Sequence, residues 1–281
     1  MQIFDTPGSV SLQIKLPSGR VVVTTADEPR TSVELVSLGR RGQDALGEVA
    51  VRMDEQGDTH VVTVEQLPRL RWGPLQISWD DAVEVRITCP PGTDLDLASG
   101  SAELRVEGEL GAVTVRTASG DVQVDRARGA LGVKTASGDI AIGQALAEAT
   151  LTTVSGELEI DSFAGPLGAR AVSGDVRIRT VRAPLTVSTT SGDIRIDRVE
   201  AGEVQAQSIS GDARIGVARG TRVWIDAASV SGTLESQLGF EDAPPDGETA
   251  PDTAAVPLRV KTVSGDVAII RAPESVPAAT I

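Results

Sequence analysis

Cysteine occurs once in this 281-residue chain, at Cys89, and histidine once, at His60. A lone thiol excludes an intramolecular disulfide, and no nucleophile-base-acid triad can be assembled from so thin a supply. Tyrosine and asparagine are absent, and three lysines stand beside 23 arginines. That bias reads as the imprint of a GC-rich genome and carries no functional meaning. Aromatic residues make up 2% of the chain. Trp72, Trp79 and Trp224 are the only tryptophans, too few for the stacking platforms of a sugar-cleaving cleft. No run approaches the eighteen or so apolar residues of a membrane-spanning helix, so direct membrane insertion is not expected. The opening Met1 to Gly8 lacks a basic start followed by an apolar stretch. Together with the single cysteine, this sets the expectation of a cytoplasmic protein without export signal or anchor.

What is present is a large apolar fraction, 40%, and a formal charge of −14. The acidity is uneven. Residues 1 to 98 carry 15 acids against 9 bases, whereas residues 113 to 219 carry 13 against 12. The excess therefore belongs to the N-terminal region and to an acidic stretch from Glu241 to Asp252. This balance argues against nucleic acid as a partner.

Ser-Gly corners recur at Ser99-Gly100, Ser119-Gly120, Ser137-Gly138, Ser155-Gly156, Ser173-Gly174, Ser191-Gly192, Ser210-Gly211, Ser231-Gly232 and Ser264-Gly265. Their spacings are 20, 18, 18, 18, 18, 19, 21 and 33 residues. A repeat of that length is one supersecondary unit that stacks on its neighbours to bury its apolar face. Alternation flanks each corner: Leu131, Val133 and Thr135 before it, Ile140 and Ile142 after it, with the same pattern at Leu185 to Ile196 and Leu258 to Ile269. Period-two alternation of β-branched and aliphatic residues predicts two short strands per coil, one face in and one out.

The expected fold is all-β: a single-stranded β-solenoid, or parallel β-helix, of about nine coils. Right-handedness is the default for parallel connections. At ~4.8 Å per coil the rod is on the order of 40 Å long. Its ends need cover, and residues 1–90, with alternation at Val21 to Thr25, Val33 to Val36, Val61 to Val64 and Val83 to Ile87, suit a strand-rich cap. Residues 91–281 are then the solenoid. Within it, residues 240–257, acidic and proline-rich, read as a flexible insertion, and the end of the chain from Ala272 as a loose tail.

The segments at 115 to 122 (Val-Arg-Thr-Ala-Ser-Gly-Asp-Val), 134 to 140 (Lys-Thr-Ala-Ser-Gly-Asp-Ile) and 187 to 194 (Val-Ser-Thr-Thr-Ser-Gly-Asp-Ile) resemble a bacterial β-strand-repeat family of unknown function. It is often labelled a candidate adhesin family and is also called toastrack. The resemblance covers most of the chain, including Val85 to Thr93. It implies a repeat β fold and an interaction role, since members are often membrane-tethered and are associated with scaffolding of envelope-stress systems. It brings no catalytic residues and no cofactor.

Four features are candidates for chemistry. The acids Asp121, Asp139, Glu157, Asp175, Asp193 and Asp212 fall in one column, where like charges ~4.8 Å apart repel by roughly 1 kcal/mol in water. Calcium would relieve that, but one acid per turn is sparse for a hard cation. The plainer account is that each carboxylate accepts backbone N–H bonds at its own corner. Thr-x-Ser pairs such as Thr135 with Ser137 match flat ice-binding arrays only if they face out, and the alternation turns them inward. The same register leaves Val154, Val172, Ile209, Val230 and Val263 outward, with Ala118, Ala136 and Thr190, as an apolar column. Either the N-terminal region covers it or a partner does. Arg177, Arg195 and Arg214 stack beside Glu159 as a basic stripe, either a solvated face or an anion site.

The functional expectation is a non-enzymatic scaffold or protein-interaction module, with no cofactor and no metal site. A protein partner or self-association is the expected use, and a sugar polymer the less expected one. The alternatives are a polysaccharide-active β-helix enzyme working through paired carboxylates, and an adhesin-like surface or polymer binder.

Overall fold

The computed structural model describes residues 1–38, 46–47, 49–66, 83–238 and 255–273. Among these residues are 23 strands joined in one sheet. The N-terminal strands are β1 (Gln2–Asp5), β2 (Ser9–Thr25), β3 (Arg30–Ser37), β4 (Val49–Gln56), β5 (Thr59–Gln66) and β6 (Val83–Cys89). Next come β7 (Asp94–Leu110), β8 (Val113–Thr117), β9 (Val122–Ala127), β10 (Leu131–Lys134), β11 (Ile140–Ala145), β12 (Ala149–Thr152) and β13 (Leu158–Phe163). The later coils hold β14 (Leu167–Arg170), β15 (Val176–Val181), β16 (Leu185–Ser191), β17 (Ile194–Val199), β18 (Val204–Ser210) and β19 (Ala213–Val217). The last are β20 (Val223–Ser231), β21 (Leu234–Ser236), β22 (Val256–Ser264) and β23 (Val267–Arg271).

Each Ser-Gly corner joins two strands of one rung, and rungs stack in parallel with an 18-residue offset. Leu131 pairs with Ala149 and with Val113, and Ile140 with Leu158 and with Val122. The all-β solenoid expected from the repeat is the fold. Its interior is the alternating set: in β10 Leu131 and Val133 are buried while Lys134 is exposed, and the same buried positions recur down both ladders. Phe163 is the largest fully buried side chain in an otherwise aliphatic core.

At both ends the order of rungs departs from the order of the chain. The first long strand, β2, lies between β7 on one side and the β5–β6 rung on the other, parallel to all three. Outside that rung the pairing turns antiparallel, with β4 on β5, β3 on β6 and β1 on β3. The stretch 1–90 thus supplies two rungs of the stack and antiparallel strands that close its end. One buried cluster runs without a break from Val10 to Ile269.

The far end mirrors this. β22 pairs with β18 on one side and β20 on the other, and β23 lies between β19 and β21. The coil that comes last in sequence is therefore the penultimate one in space. The 33-residue spacing before Ser264 marks a connection that steps back over one rung. Of the stretch expected to be a flexible insertion, residues 239–254 lie outside the described residues, as do residues 274–281 of the expected tail.

Close stacking at the corners explains their glycines. A Cβ on Gly174 would overlap the carbonyl oxygen of Gly156 in the rung below, and the same holds from Gly138 to Gly265. Gly132, in a strand, faces open space. Gly174→Ala is expected to cost about 3 kcal/mol, because the obstruction is backbone, which cannot rotate away. Gly132→Ala should stay within about 0.5 kcal/mol of the parent. Urea unfolding of the two variants side by side checks the contrast.

Candidate interaction surface

The corner makes its own polar contacts before any outside group is involved. Thr117, Thr135, Thr153, Thr189 and Thr262 are all buried, so the hydroxyls point inward and do not form an exposed array. Thr153 Oγ1 donates to the Gly138 carbonyl (3.5 Å), Thr189 to Gly174 (3.3 Å) and Thr262 to Gly211 (3.3 Å). Thr117 Oγ1 accepts from the Gly120 N–H (3.0 Å), while Thr135 Oγ1 is buried without a partner.

The acidic column resolves into a chain of caps. Asp121 accepts the backbone N–H of Asp139 (3.0 Å), Asp139 that of Glu157 (2.8 Å), and Asp175 that of Asp193 (2.8 Å). Asp193 accepts from Asp212, Asp212 from Asp266, and Asp266 from Thr233. Each carboxylate serves the next rung and not its own corner, which corrects the expectation in detail. Such charge-assisted bonds to N–H groups offset the repulsion between stacked carboxylates. Ser101 and Thr233, which interrupt the acidic set in sequence, occupy the first and last corners of the stack.

Outward from the buried hydroxyls stands the apolar column. Val154 is 47% exposed, Val172 41%, Ile209 55%, Val263 49% and Val230 82%. Pairing of Thr189 with Ser208, Ser208 with Thr262 and Thr262 with Ser229 puts these side chains in adjacent rungs, in that order, with Thr190 between Val172 and Ile209. The N-terminal strands sit at one end of the stack and, among the described residues, leave this column open to solvent.

The predicted basic stripe is also in register: Glu159 pairs with Arg177, Arg177 with Arg195, and Arg195 with Arg214. Its charge is largely answered. Asp197 accepts from Arg195 Nε (2.7 Å) and lies 3.5 Å from Arg177 Nη2. A shallow groove of about 440 Å³ runs between these arginines and the carboxylates of Glu157, Asp175, Asp193 and Asp212. A second, of about 450 Å³, lies where the small Ala141 and Gly143 fall between Gln123 and Asp125 on one rung and Glu159 and Asp161 on the next. Sequence reading missed this hollow; the signal was the Ala-x-Gly in a position where neighbours carry long side chains. Arg179 pairs with both Glu159 (3.8 Å) and Asp161 (3.1 Å) there. Arg182 and Arg198 clamp Glu200, and the Arg182 bond holds its carboxyl below the ordinary range.

His60 and Cys89 are structural. His60 Nε2 donates to the Pro7 carbonyl (3.2 Å), and Cys89 is fully buried at the end of β6. Burial pushes the Cys89 thiol up to about 11, opposed by a bond with Thr93. Trp224, noted only as a tryptophan within the repeats, is 53% exposed on the terminal rung, with the Arg259 guanidinium 5.9 Å from its ring centre.

These features define an all-β solenoid whose exposed faces carry a paired charge pattern and one apolar stripe. The chain belongs to the Toastrack DUF4097 family, whose model matches residues 10–270. Two solved structures align over nearly the whole chain. A candidate cell adhesion protein from Clostridium sporogenes is 10% identical, covering 96% of this chain and 98% of its own, with a TM-score of 0.25. A candidate adhesin from Bacteroides fragilis is 14% identical, covering 95% of each chain, with a TM-score of 0.38. At those TM-scores neither carries an argument about this chain. No curated protein matches it.

Two expectations follow. Val187 is fully buried, so Val187→Asp should cost at least about 3 kcal/mol and cripple folding, whereas Val172→Asp should leave a folded protein. Circular dichroism and thermal unfolding compare them, and equal damage would overturn the assigned register. For Cys89, the fold keeps the proton from the ordinary 9.0 up to about 11. The unfolded chain ionises first, so stability is intact below pH 9 and falls between pH 9 and 11, by up to about 3 kcal/mol. Cys89→Ala should remove that part of the slope in urea titrations across the window.

Proposed function

We propose that this chain is a non-enzymatic interaction scaffold that holds a protein partner along the column formed by Val154, Val172, Ile209, Val263 and Val230. The observation behind this reading is exposure: five large aliphatic side chains lie in adjacent or near-adjacent rungs, each more than 40% exposed. Isolated surface aliphatics need no explanation, but a contiguous stripe on a rigid ladder marks an interface. Strands give it precision, because successive side chains are fixed ~4.8 Å apart by the backbone. Six rungs from Val154 to Val230 therefore offer a straight apolar track of about 24 Å. An amphipathic strand or helix of a partner fits such a track.

The carboxylates support a non-catalytic reading. Those of the corner column are engaged with backbone N–H groups, and Glu159 and Asp161 with Arg179. The groove residues include no aromatic platform for a sugar ring. Family resemblance places the scaffold near envelope-stress systems, and the sequence favours a cytoplasmic setting; both belong to this proposal. The adhesin label carried by structurally similar proteins fits an interaction role of some kind and leaves the partner open.

The test is capture of crosslinked complexes from the native cell with wild-type protein and with Val172→Asp. A specific protein retained by the first and lost from the second supports the scaffold. Turnover of an acidic polysaccharide by the purified wild type would overturn it.

A further inference from the structure

The terminal rung at the C-terminal end of the stack is bonded on one side only. β20 pairs with β22 and β21 with β23, and among the described residues nothing lies beyond them. The Val256 N–H donates to the Arg222 carbonyl (2.9 Å), which fixes the orientation of the whole strand. In a parallel ladder the N–H and C=O of one residue point the same way and alternate along the strand. Those of Val223, Ile225 and Ala227 therefore face away from the stack. On the outward face beside them Trp224 is 53% and Val230 82% exposed, and Leu234 of β21 is 51% exposed. Natural sheets blunt such an edge with charge, a bulge or a covering segment. The opposite end does so: its outer strands are antiparallel, and β4 presents Arg52, Asp54 and Glu55 to solvent.

The repeat itself shows what this edge is not built for. Every inner corner from Asp175 onward offers a carboxylate to the N–H of the following rung, but the last corner carries Thr233 in that place. A further coil added in parallel would find no acceptor, so growth into a head-to-tail filament is unsupported. An antiparallel neighbour needs no such cap. The sequence of β20 and its approach is self-complementary in one antiparallel register. With Trp224 opposite itself, Arg222 falls opposite Asp226 on each side of the axis. Val223 falls opposite Ile225, with their free N–H and C=O groups facing. Moving the axis to Asp226 would set two carboxylates against each other.

We propose that a second copy of this chain docks on β20 across a two-fold axis at Trp224, joining two solenoids end to end by antiparallel strand pairing. The pairing is isologous, so it closes at two copies. Opposite charges and an aromatic pair directly across non-hydrogen-bonded positions are the contacts that favour such a register. This surface is distinct from the partner track, meeting it only at Val230, and does not depend on it.

Sedimentation velocity of the full chain at tens of micromolar should give twice the 29.1 kDa chain mass, and Trp224→Asp should give the single chain. Arg222→Asp and Asp226→Arg should each weaken the dimer about tenfold or more, and the two together should restore it. Trp224→Cys should oxidise to a disulfide-linked dimer under mild conditions, with the buried Cys89 silent. Val172→Asp should leave the dimer intact, which separates this result from loss of the partner track. A full chain that stays monomeric, or a dimer that survives Trp224→Asp and does not crosslink at position 224, overturns the proposal.

Discussion

Everything in this molecule depends on how closely one corner sits on the next. The Cα of each corner glycine rests against the carbonyl of the glycine below, closer than any side chain permits. That contact brings the threonine hydroxyl within reach of the same carbonyl and the aspartate within reach of the next N–H. A rung by itself has no use for any of these groups. Stacked, they satisfy the backbone at a bend where ladder hydrogen bonds are interrupted, and a buried bend without such partners would be costly. The four-residue signature is thus a statement about the neighbour more than about the turn.

Because the corner consumes its own polar groups, little is left over for chemistry. The aspartates are conspicuous in sequence and ordinary in structure, each committed to the rung above. The arginines of the second ladder share acids with one another, as Arg177 and Arg195 share Asp197. What remains uncommitted is apolar: the column that faces out beside the corner, and the edge where the stack stops. Function in a solenoid of this kind resides in the residues that the repeat does not need.

Much of the fold was legible because the same positions recur. Leu131, Val133 and Thr135 predicted an inward face, and the inward threonines and outward valines follow from that register alone. The arginine stripe followed too, since strands locked at 18-residue offsets leave no freedom in which residue meets which. Rung order was not legible. Nothing local in Ser264-Gly265-Asp266 distinguishes a last coil from a penultimate one, and the clues lay elsewhere, in the 33-residue gap and in Thr233 standing where an aspartate would cap a further rung. β2 was hidden for a related reason: it pairs with β7 along thirteen positions, yet Pro17 replaces the glycine that would have advertised it. The acceptor of each Asp bond, one rung away and not at home, is a fact of three-dimensional spacing that a turn-based reading does not contain.

The tucked ends have a consequence for how the molecule is made. A chain emerging from its N-terminus produces β20 and β21 before the rung on which they rest. Until residues 256–271 arrive, the preceding coil ending in β19 has a raw upper edge and the terminal coil has no floor. The final stretch of translation therefore acts as a keystone, slid into a slot whose two walls already exist. A truncation of only that stretch would not shorten the rod by one coil; it would release two.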